Sequence, residues 1–283
     1  MGTMTALRMR PLRPDFGVEI DGVDAAHAEP ATLRAVADAL FRHGAVVLRD
    51  QQLSPADHVR FTQFFGEPAE NARLEFTEPG FPEIYLISNR IEGDRVIGEP
   101  EAGIGWHTDY TYGKRPALCT ILHAIEVPPE GSDTLLADLQ AAWVALPADR
   151  QASLKGKVIH HSWAQLMRKR GYTTTPEQLA ALPDVYHPMV RIVPETGHTS
   201  LWVAKGTAHE IVGVPNPQGL DLIQELVDFA TQDRFVYRHK WRQGDLLFWD
   251  NRRTLHTGTP FDMKKYTRHV RRTWVRGEIP VPA

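Results

Sequence analysis

The chain has 283 residues, of which 42% are hydrophobic and 24% charged, ordinary proportions for a soluble globular protein long enough to bury a sizeable core. A formal net charge of −3 argues against a dedicated nucleic-acid binder, and no secretory segment or apolar run of membrane-spanning length is found. A single cysteine, Cys119, excludes an internal disulfide framework and fits a reducing, cytoplasmic setting.

Pro30 opens a helical pattern in which Leu33, Val36, Ala37 and Leu40 share one face, closing near His43-Gly44. Residues 45–49 then read as a buried strand. Ser54 followed by Pro55 gives an N-cap and first-turn signal for a second helix, stopped by Gly66. Residues 83–87 form another strand. Beyond residue 100, strand-like segments recur at 117–127, 134–137, 190–193, 200–203, 235–241, 245–249 and 270–275. Helical stretches near 139–146, 176–182 and 220–231 interrupt them. Many strands with few helices predict a mixed, mainly β chain, a jelly-roll-like double sheet with helices packed outside. No linker or repeat divides it, so one domain over residues 1–283 is expected.

The chemistry concentrates in two places. Trp106-His107-Thr108-Asp109 contains a His-x-Asp pair, and residues two apart on an extended strand project to the same face, so one imidazole and one carboxylate can grip one ion. The run from Gly244-Asp245 through Trp249-Asp250-Asn251 to His256 reads as an apolar strand, a polar turn and a histidine that can be aimed back at that pair. Two histidines and one carboxylate make the facial triad of non-haem Fe(II) oxygenases, and catalytic zinc sites use the same ligand set. Arg268 and Arg272 follow, four residues apart, with side chains expected on one strand face about 13 Å from each other. A guanidinium fork there suits a dicarboxylate cosubstrate, for which a hydrolytic zinc site has no need.

These residues resemble the taurine and 2,4-dichlorophenoxyacetate dioxygenase family. The resemblance runs from Gly44-Ala45-Val46-Val47-Leu48-Arg49 to Arg272. It includes Ser132-Asp133-Thr134, His187-Pro188-Met189-Val190-Arg191 and Pro194-Glu195-Thr196-Gly197. It implies a double-stranded β-helix (jelly roll) that binds Fe(II), uses 2-oxoglutarate and dioxygen, releases succinate and carbon dioxide, and oxidises an unactivated C–H bond. The family's iron ligands fall on His107, Asp109 and His256. Its 2-oxoglutarate contacts fall on Thr134 and Arg268, and Arg272 matches the position that grips the anionic group of a small-molecule substrate. Relatives form dimers or tetramers, so a homo-oligomer is expected. Related halogenases carry a small residue at the position of Asp109, so no halogenation is expected. Two departures stand out. Ser132 replaces a usual glycine. Gly103, with the histidine-free segment 71–76, lacks the contacts with which the taurine enzyme holds its sulfonate.

Two rival readings of the same residues are a zinc hydrolase and a non-catalytic jelly-roll binding module in which His107 and His256 merely pack. Outside the triad, Cys119 reads as a small buried hydrophobe, and His160-His161, being adjacent, face opposite ways. His123 and His187 read as structural. Trp106, Tyr110, Tyr112, Trp249 and Trp274 read as core and pocket wall. The basic run 264–272 reads as a solvated strand edge except for its two inward arginines.

Overall fold

Strand alternation divides the core and decides where the site lies. Along Leu246–Asp250, Leu246 and Phe248 join Val46, Leu48, Cys119 and Ile121 in one cluster, whereas Leu247 and Trp249 join Val47, Leu122, Val270 and Tyr85 on the opposite face. The first face is covered by the helices Pro30–His43 and Pro55–Phe65, which contribute Val36, Leu40 and Phe61. The second face looks into the site. This computed structural model describes residues 7–71 and 73–283; Ala72, within the segment 71–76 noted above, lies outside them.

The main sheet has eight strands in the order Arg8–Arg13, Phe16–Asp21, Ala45–Leu48, Leu246–Asp250, Ala117–Glu126, His269–Arg276, Phe81–Ser88 and Thr77–Glu78. All neighbours are antiparallel except Phe16–Asp21 beside Ala45–Leu48. Opposite it, Thr134–Asp138 is flanked by Val236–His239 and Thr254–Gly258. Leu136 joins the cluster beneath the main sheet. Its strand neighbour Ala137 and Leu255 join a third cluster, closed by Ile223, Leu226 and Val227 of the helix Gln218–Ala230. The fold is mixed and mainly β, as expected, and no described helix is long and apolar enough to cross a membrane.

Local chemistry explains the helix ends. Ser54 accepts from the Asp57 N–H while Asp57 accepts from the Ser54 N–H, a capping box behind Pro55. Gly44 takes the left-handed conformation (φ 83°) that ends the first helix, its N–H donating to the Leu40 carbonyl.

Several elements depart from the sequence reading. The hairpin Arg8–Arg13/Phe16–Asp21 was not anticipated, because its first strand is mostly exposed and carries no apolar alternation. Thr254–Gly258, read as a turn leading to a histidine, is a strand. The strand expected at 200–203 lies at His198–Leu201. Ala148–Leu154 and Trp163–Lys169 are helices; the latter buries no residue, so no apolar periodicity announces it.

Candidate active site

Two backbone hydrogen bonds bring the ends of the triad together. The His107 N–H donates to the His256 carbonyl (3.0 Å) and the His256 N–H to the His107 carbonyl (2.7 Å), an isolated antiparallel bridge across 149 positions of chain. The two rings lie 4.0 Å apart, centroid to centroid. Asp109 faces both: its Oδ1 is 3.7 Å from His107 Nε2 and its Oδ2 is 3.6 Å from His256 Nε2. These separations are too long for hydrogen bonds yet bring three Lewis bases within 4.8 Å of one another. His107 Nδ1 lies 2.7 Å from the Gly105 carbonyl, an acceptor only, so Nδ1 carries the proton and Nε2 turns its lone pair to the centre. Burial, followed by the neighbouring His107, holds His256 down to about 3, so it too offers a lone pair. Burial alone would raise the Asp109 carboxyl, but His256, Arg272, His107 and the Thr120 hydroxyl outweigh it and bring the group to about 2. Two imidazoles and one carboxylate pointing at a shared centre are a donor set that fits a divalent metal ion.

Residues that the sequence reading passed over hold this set in place. Thr120 donates its hydroxyl to Asp109 Oδ2 (2.5 Å) and accepts from Asn251 Nδ2 (2.8 Å). Asn251 Oδ1 accepts from Trp249 Nε1 (3.1 Å), and the Trp249 ring packs 4.6 Å from that of His256. Tyr110 adopts φ 58°, strained for a bulky residue, and its ring lies where any side chain at Gly113 would fall, 2.3 Å from an ideal Cβ. That turn, closed by the Gly113 N–H on the Tyr110 carbonyl (3.0 Å), follows Asp109 directly, and the Ala117 N–H returns to the Asp109 carbonyl (3.3 Å). Its signal in the sequence was the glycine three residues after Tyr110.

The second half of the site lies along Thr254–Gly258. His256 and Gly258 share one strand face, and an ideal Cβ on Gly258 would lie 4.0 Å from Nη1 of Arg268. Gly258 is also the register partner of Thr134. Arg268 is 4% exposed, yet among the described residues its guanidinium makes no salt bridge and no hydrogen bond, and Nε is buried without a partner. Burial alone lowers it to about 10. Buried charges are ordinarily paired, so this guanidinium fits an anion that the described residues do not supply. Ser132, where a glycine was usual, takes φ 58°, the conformation a glycine would adopt freely, and leaves Thr134 in the strand.

Arg272 is half-buried, not a solvated edge charge. Its Nη1 lies 3.8 Å from Asp109 Oδ1, its Nη2 3.5 Å from Asn71 Oδ1, and its guanidinium carbon 4.8 Å from the Tyr85 ring centroid. Arg271 and Thr273 point to the opposite face, towards Glu78 and His58. Gly103 has φ 86°, and a Cβ there would meet only His107 Cε1, at 3.9 Å, so the space above the first histidine stays open.

The remaining expectations also find places. Cys119 is buried, which pushes its thiol up. His160 sits between Asp184 and Glu210 (2.9 and 3.4 Å), whereas His161 turns inward to Thr207, on the other face. His123 donates to the Gln51 carbonyl and His187 to that of Gly113, so the latter buttresses the turn behind Asp109.

Comparison with known proteins identifies the family. The model of the family described as "Taurine catabolism dioxygenase TauD, TfdA family" matches residues 8–274. Alpha-ketoglutarate-dependent 2,4-dichlorophenoxyacetate dioxygenase of Cupriavidus pinatubonensis is 33% identical over 266 residues, covering 89% of this chain and 92% of that one. (S)-phenoxypropionate/alpha-ketoglutarate-dioxygenase of Sphingobium herbicidovorans is 32% identical, with 91% of each chain covered. The crystal structure of a taurine dioxygenase from Burkholderia xenovorans superposes with a TM-score of 0.81 at 32% identity over 98% of this chain and 92% of that one. AAD-2, solved with Mn(II) and N-oxalylglycine, superposes with a TM-score of 0.81 at 27% identity over 98% of this chain and 100% of that one. The chain belongs to the TauD/TfdA family. It is an oxidoreductase, an alpha-ketoglutarate-dependent dioxygenase, and neither a zinc hydrolase nor a bare binding module.

Proposed function

We propose that His107, Asp109 and His256 hold Fe(II), that Arg268 and Thr134 hold the far carboxylate of 2-oxoglutarate, and that Arg272 binds the anionic group of a small organic substrate. The observation that carries this reading is the buried, unpartnered Arg268 guanidinium beside the strand that bears His256. A dicarboxylate spanning from the triad to Arg268 would satisfy that charge through a bidentate pair. The relatives' named substrates, 2,4-dichlorophenoxyacetate and phenoxypropionate, are carboxylates, which supports a small anion as the partner of Arg272.

Held by His107, Asp109 and His256, Fe(II) with dioxygen and 2-oxoglutarate would supply the oxidising power for an unactivated C–H bond, one oxygen atom going to the substrate and the cosubstrate being released as succinate and carbon dioxide. The chain's own residues do the positioning. The Gly105 carbonyl fixes the His107 ring, and Thr120 with Asn251 fixes the Asp109 carboxylate. Arg272 places the substrate's anionic end near Asp109, which restricts the carbons that reach the reacting centre. The same reading includes a jelly-roll core, a single domain over residues 1–283, a cytoplasmic setting and a homo-oligomer, the last checked by light scattering.

The test is anaerobic reconstitution with Fe(II) and 2-oxoglutarate, transfer to air with a panel of small anions, and measurement of succinate. Fe(II)-dependent succinate release that one class of anion stimulates is the expected result. His256→Ala should abolish it while leaving a folded protein. Wild-type turnover by His256→Ala, or succinate release independent of Fe(II), would overturn the assignment.

A further inference from the structure

Thr134 is not alone at the cosubstrate end of the site. Trp241 Nε1 lies 3.1 Å from Thr134 Oγ1. An indole N–H can only donate, so the threonine oxygen accepts and its own proton is left for another partner. Among the described residues, the Thr134 hydroxyl donates to none. Thr134 is 3% exposed, and its register partners on the two neighbouring strands are His239 and Gly258, the latter beside Arg268.

The indole is itself held from behind. The Trp241 and His239 rings meet edge to face, 4.5 Å apart at 82°. His239 Nε2 lies 3.1 Å from Asp245 Oδ2, and Nδ1 lies 3.1 Å from the Tyr237 hydroxyl. A carboxylate oxygen accepts, so Nε2 carries the proton and Tyr237 donates to Nδ1. Asp245 Oδ2 also accepts from Arg49 (2.6 Å) and from the Arg242 N–H (2.8 Å), and Arg49 is tied to Glu19 (2.9 Å). Both His239 and Asp245 are fully buried.

We propose that Trp241 is a positioning residue for 2-oxoglutarate: its N–H occupies the acceptor side of Thr134 and so presents the hydroxyl proton to the cosubstrate carboxylate, while His239 and Asp245 hold the indole at that angle. This rests on the reading that Thr134 contacts 2-oxoglutarate. A threonine in a strand can rotate its hydroxyl to donate or accept elsewhere. The donor-only indole removes that freedom before the ligand arrives.

The experiment measures 2-oxoglutarate dissociation constants by calorimetry without oxygen, on Mn(II)-loaded protein. The variants are Trp241→Phe, Thr134→Val and the double variant, and melting temperatures are read on the same preparations. Thr134→Val should weaken binding about tenfold to a hundredfold, the value of one hydrogen bond to a charged group. Trp241→Phe should weaken it about threefold to tenfold in the wild-type background, but by less than about twofold when Thr134 is already valine, because the two act as one unit. If Trp241→Phe fails to fold, benzothienylalanine at position 241, which keeps the ring shape and deletes the N–H, should give the same pattern. Unchanged affinity in Trp241→Phe or with benzothienylalanine overturns the inference. An equal loss with and without the Thr134 hydroxyl assigns Trp241 to packing and also overturns it. Unchanged affinity in Thr134→Val instead removes Thr134 from the cosubstrate site, a failure of the underlying reading that a single variant identifies.

Discussion

Arg252 and Arg268 are both buried guanidinium groups, 1% and 4% exposed, and their surroundings are opposite. Arg252 makes a double contact with Asp250 and reaches Glu195 and Glu278, which tie the Leu246–Asp250 strand end to the turn at 194–197 and to the C-terminal segment. Its pKa is driven upward, because these carboxylates outweigh burial. Among the described residues Arg268 has no such partner, and it is driven down to about 10 by burial alone. The first charge is spent inside the fold. The second is held at a cost to stability, which the proposed contact with 2-oxoglutarate would offset. Arg272 stands between them, touching Asp109 and Asn71 loosely and the Tyr85 face, with Nε buried and unpaired among the described residues. A buried cation therefore indicates its purpose by what it lacks.

The largest effects should come from exchanging each arginine for a methionine. Arg268→Met should weaken 2-oxoglutarate by about thirtyfold to several thousandfold, the cost of truncating a buried charged partner, while the melting temperature stays level or rises. Arg252→Met should do the reverse, lowering unfolding free energy by about 3–5 kcal/mol because Asp250 is left buried without its partner, with 2-oxoglutarate affinity of the folded protein unchanged. Calorimetric titration and urea unfolding on both variants decide it, and a destabilised Arg268→Met with normal affinity would collapse the contrast.

Arg272→Ala should raise the apparent constant for the substrate about tenfold or more, leave that for 2-oxoglutarate near wild type, and spare slow uncoupled decarboxylation. Equal losses for both ligands would mean that the two arginines share one anion.

A smaller effect concerns buried groups that are neutral. Burial holds His58 and His161 down to about 3, below the ordinary value of 6.5. The unfolded chain therefore binds their protons first. Their contribution is complete above about pH 6.5 and is lost as the pH falls towards 3, by up to about 1.4 kcal/mol per pH unit per histidine. Melting temperatures should fall steadily from pH 7 to pH 5, and His58→Gln should flatten that limb. An acid limb identical to wild type would show that His58 titrates normally. The smallest expectation is a null: with Asp109 in place, the wild-type enzyme should give no chlorinated product in chloride buffer, which mass spectrometry can check.

Much of the site was legible in the sequence because it rests on local rules. His107 and Asp109 are two residues apart, so one short segment carries both, although Asp109 lies in a turn and not on the extended strand that the spacing suggested. The helix at residues 30–43 with its Gly44 terminator, the capped helix from Pro55 and the strand at 117–126 were legible for the same reason, since periodicity, caps and turn residues act within a few positions. Composition and one cysteine were enough to exclude a disulfide scaffold.

Only the tertiary structure decided what depends on distant chain segments meeting. The backbone bridge between His107 and His256 is a long-range pairing that no local pattern encodes. The Thr120–Asn251 support of Asp109 and the Trp241 contact to Thr134 join residues more than a hundred positions apart, and each is an ordinary polar or aromatic residue until its partner is in place. Arg268 and Arg252 are the same residue type, each on or beside a strand; Arg252 has an acid two residues before it, but its Glu195 and Glu278 partners come only from the fold. Packing surrounded one with carboxylates and left the other beside Gly258, with no partner among the described residues. Partnership of a buried charge is a property of the assembled fold, because the desolvation that makes an unpaired charge costly exists only after the chain has closed around it.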